Sequence, residues 1–135
     1  MNELAILLKA LNIYGHACHF LCSRVVFMQD HVFLGEIYEA AEDNYDAVVE
    51  RCIGLGIKVD IQDINVKAAA RAASIKVGDD NSTKLSGCLS LEQEVVAMIE
   101  KLRKGGSLSL GTETLLGDIA SESEIRQYKL KQRLA

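Results

Sequence analysis

The chain has 135 residues, a formal net charge of −4 and 49% hydrophobic residues, with no proline and no tryptophan. That length supports one domain with a real core, and the negative charge argues against a general nucleic-acid binder with a basic face. The lack of proline favours long helices, because proline breaks helix interiors.

No apolar run approaches the roughly 18 residues of a membrane span. The start "MNELAILLKAL" has neither a basic leader nor a small-residue cleavage site, so a cytoplasmic protein is expected. The four cysteines, Cys18, Cys22, Cys52 and Cys88, form no CxxC pair and are expected to be free thiols acting as small apolar side chains.

Apolar spacing predicts four long helices and a short one. The first runs from about Asn2 to Arg24, with Leu4, Leu8, Leu11, Cys18 and Cys22 on one stripe. The second runs from about Gln29 to Leu55, with Phe33, Ile37, Ala41, Val48, Cys52 and Leu55 facing inward and Gly54 and Gly56 as its stop. "INVKAAARAASI" reads as a short connecting helix, and "GDDNST" as a loop that supplies an N-cap. The third long helix spans about Ser82 to Lys104. The fourth spans about Thr112 to Leu134 and carries Leu115, Leu116, Ile119, Ile125 and Leu130. Four such helices make a four-helix bundle, here with a crossover connection between the second and third.

The second helix has an unusual charge pattern. Asp30, Glu36, Glu39, Glu42, Asp43, Asp46 and Glu50 stand against Arg51 alone. At about 100° per residue, His31, Gly35, Glu39, Glu42, Asp46 and Glu50 share the face opposite Phe33, Ile37, Val48 and Leu55. A solvated face normally mixes its signs, since like charges at this spacing repel. Carboxylates with imidazole are a ligand set for iron and similar divalent metals. A zinc site from His16, His19 and Cys22 is an alternative that their spacing of three allows.

A di-iron centre inside one bundle uses a Glu-x-x-His motif. None exists here: three residues before His16, His19 and His31 stand Ile13, His16 and Met28. His31 and Asp46 lie fifteen residues apart on one helix, about 22 Å along its axis. If both bind one metal, they must meet across a subunit interface.

At this point the segment from His19 to Gly56 resembles the Dps (DNA-binding protein from starved cells), or mini-ferritin, family. The resemblance lies in His19-Phe20, Phe27, His31, "DAVVER" from Asp46 to Arg51, and Leu55-Gly56, in register without a gap. "GTETLLGDIASESEIRQYKL" is similar to the family's last helix. The resemblance implies a ferritin-like bundle, all-α, with a short helix between helices two and three, assembled as a hollow dodecamer. It also implies ferroxidase sites at two-fold interfaces. His19 and His31 would come from one subunit and Asp46 and Glu50 from its partner, and iron(II) would be oxidised there and stored as mineral.

Three departures bear on that expectation. Gly35 stands where the family has an acidic ligand, and a glycine inside a helix costs about 1 kcal/mol without evident gain. Glu36 and Glu39 are the neighbouring carboxylates that could substitute as metal ligands. Phe20 replaces the family's usual tryptophan, and Tyr128 stands where the last helix often has another.

DNA binding in the family often relies on a lysine-rich N-terminal arm, but here the first helix is expected to start almost at Met1. Arg126, Lys129, Lys131 and Arg133 are the candidate phosphate contacts, which would make the protein nucleoid-associated. The ordinary role of such cations is to offset the helix dipole. His16 is expected to be a core or interface residue. Two functions follow: an iron-oxidising, iron-storing shell, or a shell with a degenerate centre that sequesters metal or coats DNA. Gly35 is the residue that separates them.

Overall fold

The computed structural model describes residues 1–135, and every element is helical. α1 spans Asn2–Leu21, α2 Phe27–Gly54, α3 Ile61–Ala73, α4 Asn81–Lys104 and α5 Leu110–Leu134. Side-chain caps start three of them. Asp60 accepts from the Asp63 N–H, Asp80 from the Thr83 N–H and Ser109 from the Thr112 N–H, each satisfying an amide that has no partner within its helix. Asp60 and Ser109 explain why α3 and α5 begin a few residues earlier than the apolar pattern suggests.

α1 ends at Leu21, short of the expected Arg24, and no proline or glycine stops it. Its end is set by tertiary hydrogen bonds. In a continued helix the Ser23 N–H would bond the His19 carbonyl. Instead the Ser23 N–H donates to Asn81 Oδ1 at 3.0 Å, and the His19 carbonyl accepts from His31 Nδ1 at 2.8 Å. Arg24 then takes a left-handed backbone (φ 72°), which lets the chain reverse into α2.

The direction of each helix follows from one meeting point. Ser23 after α1, Asp30 near the start of α2, Asn81 at the start of α4 and Arg133 near the end of α5 all hydrogen-bond together. So α1 and α5 run toward this end, and α2 and α4 run away from it. α2 and α4 are therefore parallel, and the chain returns between them by a connection that includes α3, packed on α1. The result is a helical bundle with a crossover, as the sequence pattern suggests.

The core has two halves. Near the meeting point, Leu11, Tyr14, Cys18, Leu34, Ile37, Leu85, Cys88, Leu91 and Leu130 pack together. At the other end are Leu4, Leu8, Val48, Cys52, Ile64, Val95, Ile99, Leu116 and Ile119. All four cysteines are buried free thiols, as expected. Gly87 allows α1 and α4 to approach closely. A Cβ there would sit 2.1 Å from the Tyr14 hydroxyl, which donates to the Lys76 carbonyl at 2.9 Å.

Several expectations need correcting. α1 is long and apolar enough, by length and composition, to cross a bilayer, although no such stretch was expected. In the fold its apolar stripe is buried among α2, α3 and α4. Leu34 and Tyr45 are buried members of the α2 stripe, whereas Phe33 is only half-buried. Leu55 and Ile125, expected inside, are exposed. Asp30, counted among the acids of the second helix, is 1% exposed and faces the core.

Candidate metal centre

His19 lies in the last turn of α1 and His31 in the second turn of α2, and the short loop between these helices brings their rings face to face. The ring centroids are 3.7 Å apart with 21° between planes. Each imidazole donates from Nδ1 to the other residue's backbone carbonyl, His19 to His31 at 2.7 Å and His31 to His19 at 2.8 Å. A carbonyl oxygen can only accept, so both Nδ1 atoms carry the proton. In the neutral ring each Nε2 is then left with its lone pair free to bind a metal. A ligand histidine is normally held this way, its second nitrogen anchored to a carbonyl or carboxylate.

An aromatic row extends from the pair. Phe27 stacks on His31 at 4.8 Å, Tyr38 meets His19 edge-on at 5.2 Å, and His16 stacks on Tyr38 at 4.3 Å. His16 is exposed, not a core residue. Cys22 is buried and its thiol donates to the His19 carbonyl at 3.4 Å, so it is turned away from the zinc arrangement its spacing allows.

Gly35 lies beneath the His19 ring. A Cβ added there would meet His19 Cε1 at 3.4 Å and Nδ1 at 3.5 Å, ordinary contact distances. Position 35 is therefore at the imidazole pair, and a short side chain could be accommodated there. Glu36 and Glu39, on the same helix, are exposed.

Asp46 and Glu50 lie further along α2, at its distal end, and both are exposed. They share no ion pair or side-chain hydrogen bond with any group of the chain, and neither do Glu36, Glu39, Glu42 and Asp43. Within one chain no three His, Cys, Asp or Glu side chains converge to hold a metal ion. The structure thus brings His19 and His31 together and leaves Asp46 and Glu50 away from them, as the axial spacing along α2 requires.

The cations near the end of α5 divide into two kinds. Arg126 is buried and bonds Glu92 through Nε at 2.5 Å and Nη2 at 3.3 Å. Glu92 is fully buried and also accepts from the Ser123 hydroxyl. Arg133 forms a two-pronged pair with Asp30, Nε to Oδ1 at 3.0 Å and Nη2 to Oδ2 at 2.9 Å. The Asp30 carboxylate raises the Arg133 guanidinium further above its ordinary pKa. Of the candidate DNA contacts only Lys129 and Lys131 remain exposed and without an internal partner.

Sequence reasoning did not identify Asp30, Asn81 or Glu92 as buried polar anchors. A signal was present. Asp30, Leu34, Ile37, Ala41, Tyr45, Val48 and Cys52 follow one helical stripe, as do Cys88, Glu92, Val95 and Ile99. A charge on an apolar stripe needs a buried partner. Lys84, also buried, stands four residues before Cys88 on that stripe, and its ammonium donates to the Gly78 and Asp80 carbonyls at 3.0 and 3.2 Å. No family model matches the chain, and no curated protein matches it either.

Proposed function

We propose that the protein is a mini-ferritin-like ferroxidase with a ferritin-like fold, a closed homo-oligomer, most simply a dodecamer, that oxidises iron(II) and stores the product. Peroxide is the proposed oxidant. The observation that carries this reading is the reciprocal His19–His31 pair, with both Nδ1 atoms tied to backbone and both Nε2 atoms free. The two rings stack with centroids 3.7 Å apart, so both metal-binding edges lie at one place on the surface.

Asp46 and Glu50 of a second subunit would complete the centre. They are free to do so, since neither is engaged within its own chain. Phe20, Leu21, Val25, Met28 and Val32 are all more than half exposed around the histidines. Such a patch gives a second copy an apolar surface to cover while it brings its carboxylates to the site. The remaining acids of α2 would draw in iron.

Gly35 supports a second reading, a shell with a degenerate centre that sequesters metal without turnover. Position 35 is beside His19, yet it offers no ligand. One assay separates the two. Purified oligomer given iron(II) and peroxide should yield soluble iron(III) product faster than buffer alone. Binding of iron(II) without faster oxidation would select the second reading, and a monomer by light scattering would remove both.

DNA contact is proposed through Lys129 and Lys131 alone. Deleting the C-terminal residues would also remove Arg133 from Asp30, so the informative variant is Lys129→Gln with Lys131→Gln. It should abolish a DNA retardation that weakens steeply with salt. Unchanged retardation would place the contact elsewhere.

A further inference from the structure

Arg133 is the residue through which α5 makes its side-chain hydrogen bonds to α2. Its target, Asp30, directly precedes His31. The same carboxylate accepts from Asn81 Nδ2 at 2.9 Å. Asn81 in turn pairs with the backbone of Ser23 at both of its groups, donating to the carbonyl at 2.8 Å and accepting from the N–H at 3.0 Å. Four segments are thus knotted at one buried carboxylate, and two of them, Ser23 and Asp30, flank the loop between the histidine helices.

The imidazole pair depends on the offset between α1 and α2. Each ring must reach the other residue's carbonyl at 2.7–2.8 Å. A slip between the helices disturbs both bonds at once, because both span the same gap between α1 and α2. The loop itself is poorly suited to hold that offset, since it contains a non-glycine residue in the left-handed region and the 98%-exposed Val25.

We propose that Arg133 is a positioning residue for the His19–His31 pair: by clamping Asp30 and, through Asn81, Ser23, it fixes the α1–α2 offset that holds both imidazoles in the Nδ1–H tautomer. The two-pronged geometry is suited to this, because a planar guanidinium restrains both the position and the orientation of a carboxylate, whereas an ammonium acts as a point charge. The consequence for metal rests on the ferroxidase reading above; the positioning of the rings does not.

The test uses metal-free, full-length protein labelled with ¹⁵N-histidine. In the wild type, His19 and His31 should show Nδ1–H signals with slow proton exchange. Arg133→Gln should speed that exchange roughly tenfold and mix the tautomers, as expected when local opening becomes easier. His16, stacked on Tyr38 outside the clamp, should be unchanged, and helix content should be retained. Arg133→Lys should fall between the two.

If Arg133→Gln does not fold, Arg133→Lys and Asp30→Asn are read the same way. A folded variant whose His19 and His31 exchange matches wild type would overturn the proposal. So would a change as large at His16, which would mean general loosening. Cobalt(II) is then added to both proteins. Failure of either to bind it, with the exchange effect present, would leave the positioning intact and count against the ferroxidase reading alone.

Discussion

The two ends of α2 are built by opposite rules. At its start, His31 Nδ1 and the Asp30 carboxylate make their polar contacts inside the chain. The imidazole is tied to the His19 carbonyl, and the carboxylate is held by Arg133 and Asn81. At its far end, Asp46 and Glu50 have no partner within the chain, and Val48 and Cys52 between and beside them pack into an apolar cluster. For the shared site proposed above, the difference teaches how its parts can be divided. Neutral imidazoles need an internal hydrogen bond to set which nitrogen is free, so their half must be preorganised. Carboxylates need no tautomer, and in the proposed function Asp46 and Glu50 would stay in water until a metal and a second subunit reached them.

The sharpest way to break that comparison is to split the site between chains. His19→Ala and Glu50→Ala should each abolish iron oxidation in a pure oligomer. Refolded together, the two variants form some interfaces with an intact His19 facing an intact Glu50, about a quarter of all sites for random two-fold pairing. Activity should return in the mixture to about that fraction. A mixture shown by mass spectrometry to contain hybrids, yet as inactive as its parents, would mean that the half-sites do not meet.

A second, smaller effect lies in stability. Asp30→Ala leaves the Arg133 guanidinium without its acceptor and the Asn81 amide nitrogen with the Ser23 carbonyl alone. Losing one partner of a buried pair costs about 3–5 kcal/mol. Arg133 is 32% exposed, so a cost of about 2 kcal/mol is expected here. Asp46→Ala and Glu50→Ala should each shift stability by less than about 0.5 kcal/mol, since both are exposed and unpaired. Urea unfolding of the three variants measures this. Equal costs at the two ends of α2 would erase the distinction drawn above.

The smallest effect sharpens the comparison from within the preorganised half. Gly35→Asp places a carboxylate beside the His19 ring, where the added Cβ meets only ordinary contacts. Iron oxidation should rise several-fold, while stability falls, because position 35 is buried and a carboxylate there loses water; the slightly better helix propensity of aspartate over glycine offsets only part of that cost. Gly35→Ala is the control, expected to gain stability without gaining rate. If both variants oxidise iron as the wild type does, position 35 is not a ligand position, and Glu39 becomes the next residue to replace.

Much of this molecule was legible in the order of its residues. The absence of proline, the apolar stripes and the capping residues determined five helices and most of their ends, because helix formation depends on neighbours three and four positions away. The fifteen-residue gap between His31 and Asp46 already ruled out one metal shared within a single straight helix. Gly35 could be read as a missing carboxylate, but not as the floor beneath a particular imidazole.

Only the tertiary structure decided where α1 stops, because Ser23 finds its partner fifty-eight residues away in Asn81. It alone decided that Arg126 and Arg133 face Glu92 and Asp30 rather than solvent, and that His19 and His31 hold each other's backbone. These are hydrogen bonds between groups remote in sequence. Their direction depends on how four helices lie against one another, which no local spacing records, while the apolar stripes that bring the helices together are written along the chain itself.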